Sequence, residues 1–271
     1  MDDIDRYLQE DLGEEGDITS DALFTDEGAH AFIIAREPCI VAGLEEAKIV
    51  FEKTGAETQL KVNDGDFVKE KTVVAEINGS IRSILKGERL VLNFIGRMSG
   101  VATETKKLVD MCRVINPKLT VAATRKTTPG FRRFEKKAVV LGGGEPHRMG
   151  LYDAVMIKDN HLQRIGSVEE AIKRVHEKVH NKIIEVEVEN ESDALTAARM
   201  NVDVIMLDNF DVEFGKHVAK KIREINPKVL IEISGGVTPK NIAGYASFAD
   251  RVSLGYLTHS VKSKDFSLGI E

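Results

Sequence analysis

Short apolar runs ending near Ala123, Ile157, Val188, Leu207, Ile233 and Leu254, each separated from the next by segments of helical period, restrict the fold more than any other feature. Between them, Val168-Ala171-Ile172-Val175-Val179 and Val218-Ile222-Ile225 repeat apolar side chains at three- and four-residue spacing, the pattern of amphipathic helices. Parallel neighbours in a sheet require crossover connections, and helices of this length supply them. The second half of the chain therefore reads as a parallel α/β sheet of about six strands. A closed α/β barrel needs eight. Either the barrel is incomplete, or a further strand lies hidden in segments that read as helix.

The residues just beyond each run carry the chemistry. In chain order the strand ends present Arg125-Lys126, Lys158-Asp159, Glu187 and Glu189, Asp208-Asn209, Ser234-Gly235-Gly236, and Gly255. If the sheet curls into a barrel, all of these converge on its C-terminal rim, where such folds keep their functional groups. Arg125, Lys126, Arg148 and Lys158, with His147 adjacent, suit a ligand bearing two or more negative charges, because guanidinium gives planar two-point contacts and ammonium a compact charge. Glu187 and Asp208 oppose them in sign. Such carboxylates serve a hard cation such as Mg²⁺ held with substrate phosphates, hydrogen bonds to sugar hydroxyls, or a cationic transition state. Ser234-Gly235-Gly236, ahead of a helix start expected at Thr238-Pro239, has the form of a phosphate-binding turn.

Composition narrows the partners. A formal net charge of −6 argues against a general nucleic-acid or anionic-membrane binder, so the cations around 125–158 are local. With Cys39 and Cys112 alone there is no disulfide framework, which fits a reducing cytoplasm. The start of the chain is acidic and lacks a signal-peptide core, and no run approaches the ~20 apolar residues of a membrane helix. The expectation is a soluble cytoplasmic protein.

Residues 4–12 read as a short amphipathic helix. From Ala29 to about Leu85 an α+β module is expected, with hairpin-type turns at Asn63-Asp64-Gly65-Asp66 and Asn78-Gly79 and a helix over Leu44 to Lys53. Its DGDFVKEKTVVAEINGSI is similar to the strands of biotinyl and lipoyl carriers, but the turns offer no modifiable lysine. Gly87 to Cys112 reads as a long helix with Arg89 near its start. Arg132, Arg133, Lys136 and Lys137 read as a solvated or partly capping helix face rather than as substrate ligands, and Gly142-Gly143-Gly144 as a tight turn. His176-Glu177-Lys178-Val179-His180 matches HExxH formally, yet both histidines fall on the solvent flank and no third ligand is evident downstream.

Taken together, ATRKTTPGFRRFEKKAVVLGGGEPHRMGLYDAVMIKDNH, EDLGEEGDITS, GERLVLNFIGRMSG, IEVEVE, IMLDNF, EISGG and VSLGYLTHS closely resemble quinolinate phosphoribosyltransferases over nearly the whole chain. The resemblance implies an N-terminal α/β sandwich domain with a linking helix over 1–108, an open, incomplete α/β barrel over 109–259, and a tail, 260–271, packing back on the first domain. It implies transfer of phosphoribose from phosphoribosyl pyrophosphate to quinolinate with decarboxylation, with Mg²⁺ and no organic cofactor. By position, Thr124, Arg125, Lys126, His147, Arg148 and Lys158 would hold the quinolinate carboxylates. Glu187 and Asp208 would face ribose and Mg²⁺, and Ser234, Gly235, Gly236 and Gly255 would cradle the 5′-phosphate. Lys126, Lys158, Glu187 and Asp208 would be the catalytic set. The resemblance further implies at least a homodimer, with Arg89 reaching the neighbouring subunit's site. Two rivals stay open: a paralogous phosphoribosyltransferase for nicotinate or another acid, and a non-catalytic anion-binding scaffold.

Overall fold

A computed structural model describes residues 3–271. Residues up to Lys106, with Lys137–Gly143 and Val261–Glu271, form one compact unit. Its antiparallel sheet runs, edge to edge, Phe266–Ile270, Gly28–Ala35, Val73–Ser80, Glu57–Leu60. Alternation gives this sheet its buried face: Ala31 lies opposite Ile77 and Ile33 opposite Ala75, and all four are fully buried. The helix Leu44–Thr54 buries Leu44, Ala47, Val50 and Phe51 on one stripe, and Gly55, at φ +95°, ends it in the left-handed conformation.

A single helix, Ile81–Ile115, follows the strand Val73–Ser80 directly; its 35 residues span about 50 Å. It buries Ile84, Val91, Phe94, Ile95 and Met98. The C-terminal segment lies against it: Arg97 Nη1 donates to Val261 O at 2.8 Å and Lys264 N–H to Gly96 O at 2.9 Å. Glycine is required there, since a Cβ on Gly100 would stand 2.2 Å from Lys262 O. From this contact the chain enters the sheet beside Gly28–Ala35.

Three local expectations are corrected. Asn78-Gly79 is no turn: both residues belong to the strand Val73–Ser80, opposite His30 and Ala29, and Gly79 is needed because a Cβ would sit 2.9 Å from that of Ala56. Asn63–Asp66 does turn, with Asp66 accepting the Asn63 N–H at 2.9 Å, but the strands flanking it pair elsewhere, Glu57–Leu60 with Val73–Ser80 and Phe67–Val68 with Cys39–Ile40. The long helix starts at Ile81 rather than Gly87, because IRSIL forms its first turn.

Lys107–Lys136 and Gly144–Ser260 form the second unit. Its six strands are all parallel and run Thr120–Ala122, Arg251–Ser253, Leu230–Ser234, Val204–Asp208, Ile184–Val188, Val155–Ile157. This order is chain order cut once, as in a barrel whose seam separates the first strand from the second. Glu145 bridges to the free edge of Thr120–Ala122, exchanging Ala123 N–H→Glu145 O (2.9 Å) and Glu145 N–H→Val121 O (2.8 Å). Three of the crossover helices begin at side-chain caps, Ser167, Asn190 and Asp211 accepting from the N–H groups of Glu170, Asp193 and Phe214, respectively. The helix Val168–Lys178 buries Val168, Ala171 and Ile172 and leaves His176 exposed; it ends before His180, so the HExxH match is not one helical face. Thr238-Pro239 does not begin a helix either, since the short helix there is Ile242–Tyr245.

No helix of the described residues is long and apolar enough to cross a membrane. Cys39 and Cys112 are both free and buried, and burial pushes each thiol up to about 11. Thiol reagents attack the thiolate. Native protein at pH 8 is therefore expected to react negligibly with a chromogenic disulfide reagent, while unfolded protein releases two equivalents per chain. Rapid reaction of either cysteine in the native state would contradict this burial.

Candidate active site

The second unit's sheet has two chemically different faces. Val186, Val188, Ile205, Leu207, Ile231, Ile233 and Val252 alternate with Glu185, Glu187, Met206, Asp208, Glu232, Ser234, Arg251 and Ser253, and the register aligns each set across neighbouring strands. Parallel strands covered on both sides are ordinarily apolar throughout. Here the inward face carries the charges, and even Glu185 and Glu232, deep in their strands, are buried.

A cavity of about 720 Å³ opens over the C-terminal ends of these strands. Thr124, Arg125, Lys126, His147, Arg148, Lys158, Glu187, Asp208, Ser234, Gly235, Gly236 and Gly255 all line it. Every site residue expected in the barrel is thus brought to one place. Arg89 does not line it; it borders a separate recess of the first unit with Asn93, Arg97 and Lys264.

On the cationic side, Thr128 donates its N–H and hydroxyl to the buried Glu135 carboxylate, both at 3.0 Å, and Arg132 Nε donates to Thr127 Oγ1 at 2.9 Å. The loop after Thr120–Ala122 is thereby tied down. The Thr258 hydroxyl donates to Lys126 O at 2.7 Å. Arg125 Nε is buried without a hydrogen-bond partner among the described residues. Arg148, nearly buried, donates to Ala154 O at 3.3 Å and approaches Met156 Sδ at 3.1 Å; burial and then Arg125 weaken its hold on its proton.

Of the helix face expected in solvent, only Arg133 is exposed. Arg132 donates to Met149 O at 3.0 Å, and Lys137 pairs with Glu46 at 2.8 Å. Lys136 is 1% exposed, and burial, then Arg132, pushes its ammonium down to about 8.

On the opposite side Lys158 pairs with Glu187. Burial and then Glu187 push the Asp208 carboxyl up. Asn209, at φ +58°, donates to Asp208 Oδ2 at 2.6 Å. Gly235 must be glycine: it has φ +73°, and a Cβ would lie 2.4 Å from Asn209 Oδ1 and 2.6 Å from Asp208 Oδ1.

Beneath the rim lies a group that reading strand ends does not reveal. His147 Nε2 stands 3.4 Å from Glu232 and 3.5 Å from Glu185, its Nδ1 accepts the Arg148 N–H at 2.8 Å, and Arg251 Nε donates to Glu232 at 2.5 Å. Arg251 also reaches Glu145 at 3.0 Å. The two acids separate in acidity. Burial, then Glu232, pushes Glu185 up to about 9, so it keeps its proton at neutral pH. Burial also penalises the Glu232 anion, but the nearby His147 Nε2 and the charge of Arg251 outweigh that and hold Glu232 ionised. His147, Glu185 and Glu232 lie close enough together to hold a cation, but Arg251 already neutralises Glu232. The signal for these acids is in the sequence: EVEVE and IEIS put carboxylates at alternate positions inside buried strands. Asn209, next to Asp208 at a strand end, also lines the cavity, as do Tyr256 and His259 on the short helix Tyr256–His259, which neither strand-end position nor residue spacing singled out.

Removing the cation that answers a buried acid leaves the acid unpaired. Arg251→Met is therefore expected to lower the free energy of unfolding in urea by about 3–5 kcal/mol, and Glu232→Gln in the same chain to recover part of it. A wild-type unfolding midpoint for Arg251→Met would refute the pairing.

Six parallel strands, polar groups gathered at one set of strand ends, and a cavity of mixed charge define an open α/β-barrel enzyme for a small anionic substrate. Residues 101–269 match the C-terminal domain of quinolinate phosphoribosyl transferase, and residues 17–99 match its N-terminal domain. A protein of Archaeoglobus fulgidus named as a probable nicotinate-nucleotide pyrophosphorylase (carboxylating) is 43% identical over 94% of this chain and 98% of its own length. One of the same name from Bacillus subtilis is 40% identical, covering 98% of this chain and 92% of its own. The crystal structure of NadC from Streptococcus pyogenes superposes with a TM-score of 0.92 at 38% identity, over 99% of this chain and 95% of that one. The chain belongs to the quinolinate phosphoribosyltransferase family.

Proposed function

We propose that this protein transfers the phosphoribosyl group of phosphoribosyl pyrophosphate to the ring nitrogen of quinolinate and releases the 2-carboxylate as CO₂, giving nicotinate mononucleotide and pyrophosphate for NAD synthesis. The observation that carries this reading is the meeting of Arg125, Lys126, Arg148 and Lys158 with Glu187 and Asp208 in one cavity. A dicarboxylate needs the cations, and an oxocarbenium-like ribose needs an anion beside it. A pure anion scaffold gains nothing from Glu187 and Asp208.

In this reading Arg125 and Arg148 take the quinolinate carboxylates, assisted by Thr124, Lys126 and Lys158. His147 supports Arg148 from behind, both of its ring nitrogens being turned to protein groups. Ser234, Gly235, Gly236 and Gly255 receive the 5′-phosphate; Gly255 leaves no room for a side chain, since a Cβ would stand 2.7 Å from His259 Nε2. Once the pyridine nitrogen is ribosylated the ring is cationic and accepts the electron pair left by CO₂. Lys126 or Lys158 steadies that centre or supplies its proton, and no organic cofactor is required.

Glu187 and Asp208 offer hard oxygen donors, and the upward push on Asp208 beside Glu187 marks a place where a cation is favourable. These residues would hold Mg²⁺ together with substrate phosphates. The ion would supply charge neutralisation of the departing pyrophosphate.

A second copy of the chain completes the site in this proposal, with Arg89 contributed across the interface. Support comes from the exposed Ile18 and Leu23 on the helix Ile18–Leu23, at 65% and 68%. A cytoplasmic setting agrees with two buried, unpaired thiols.

Purified protein given quinolinate, phosphoribosyl pyrophosphate and Mg²⁺ is expected to form nicotinate mononucleotide and CO₂ in equal amounts. Pyrophosphate release with nicotinate and without CO₂ would favour the paralogous activity. Arg125→Ala should chiefly raise the quinolinate KM, whereas Glu187→Ala should depress kcat; near-normal kinetics for both would overturn the assignment. For the dimer, Arg89→Ala and Glu187→Ala chains are each expected to be impaired, and co-refolding them should restore activity by rebuilding one intact site per pair. No recovery in the mixture would exclude a shared site.

A further inference from the structure

Lys136 is the one buried ammonium for which the site as described has no use. It pairs with no carboxylate among the described residues, in contrast to Lys137, which takes Glu46. Its Nζ donates to Pro146 O and, at 2.6 Å, to Arg148 O. These carbonyls flank His147, whose φ of +54° is a conformation that side chains with a Cβ seldom adopt. The reversal at His147 aims both carbonyls at one ammonium, and it sends the two neighbouring side chains apart. The His147 ring goes to Glu185 and Glu232, and the Arg148 guanidinium goes to the cavity wall beside Ala154 O.

Burying an unpaired lysine charge is costly, and an apolar side chain of similar volume would fill the space more cheaply. What it would not do is satisfy two buried carbonyl oxygens in a left-handed turn. Without these bonds the turn has no reason to keep its conformation. Arg148, whose backbone carbonyl is one of the two, would then lose its fixed direction.

We propose that Lys136 is a positioning residue for dicarboxylate recognition, clamping the Pro146–Arg148 backbone so that the Arg148 guanidinium meets a substrate carboxylate. The inference rests on the reading that Arg148 binds quinolinate.

Kinetics of Lys136→Met, Arg148→Ala and the double variant, each as the full chain, test it. Lys136→Met orphans two carbonyls, a loss of about 1–3 kcal/mol, and should raise the quinolinate KM roughly 5- to 150-fold. The phosphoribosyl pyrophosphate KM should stay near the wild-type value. Lys136→Gln, which can still donate to one carbonyl, should fall between. In the Arg148→Ala background Lys136→Met should add little, because the group it positions is already gone. Additive effects in the double variant, or equal rises in both KM values, would overturn the proposal and leave Lys136 a purely structural residue. If Lys136→Met does not fold, Lys136→Gln takes its place in the cycle, where non-additivity supports the proposal and additivity overturns it. An unchanged quinolinate KM for Arg148→Ala alone would instead overturn the reading of Arg148, while absence of wild-type turnover would overturn the proposed reaction.

Discussion

Glu232 lies fully buried on the inward face of a parallel sheet, and what answers its charge fixes much of the surrounding site. An isolated carboxylate there would cost many kcal/mol or give up its charge. It keeps its charge because Arg251 comes from the neighbouring strand at the paired position and His147 approaches from the chain beyond the seam. Arg251 in turn reaches Glu145, which bridges to the open edge of Thr120–Ala122. One buried anion thus ties together two central strands, the segment beside the seam, and the residue that precedes Arg148. Burial and the Glu232 charge both favour the protonated form of Glu185, which shares this space.

An open barrel suits such an interior. The cyclic order of six strands sends every C-terminal end to the same rim, so residues far apart in the chain meet without long loops. The groups at that rim come from short, anchored turns. Glu135 holds the TTPG loop by Thr128, Thr258 holds Lys126 O, and Asn209 N–H donates to Ser234 O at 3.0 Å, joining two adjacent strand ends.

The outline of this arrangement was legible in the sequence because it rests on periodicity and on residue type at strand ends. The apolar runs located six strands, and five were followed by a charged residue or glycine that lines the cavity; beyond Val188 the lining acid is Glu187, inside the strand, and Glu189 is not part of the lining. Less legible were features that depend on which way a side chain faces. Lys136 and Glu135 sit in a segment dense with charge, and spacing alone assigned that density to solvent; both are buried. Asn78-Gly79 has turn chemistry, but Ala56 needs a glycine beside it within a strand, and packing overrode local preference. Arg251, the first residue of its strand, drew no attention in the sequence, because its pairing with Glu232 depends on strand register.

The backbone at the rim shows where the free energy for recognition has been spent. His147 and Asn209 have left-handed conformations, and Gly235 and Gly236 extend the pattern to consecutive residues at φ +73° and +61°. Each non-glycine instance costs on the order of 1 kcal/mol. That cost is incurred on folding, in a scaffold whose buried polar bonds hold these turns, and not on meeting the substrate. Cations and acids whose directions are already set lose little freedom when ligand arrives, which leaves more of their interaction for binding and for charge that develops during reaction. The same logic explains cations and carboxylates kept within one cavity. Lys158 and Glu187 satisfy each other as an ion pair, and in the proposed reaction a substrate bringing both negative carboxylates and a ribose turning positive would divide the pair, giving each partner an opposite charge in return.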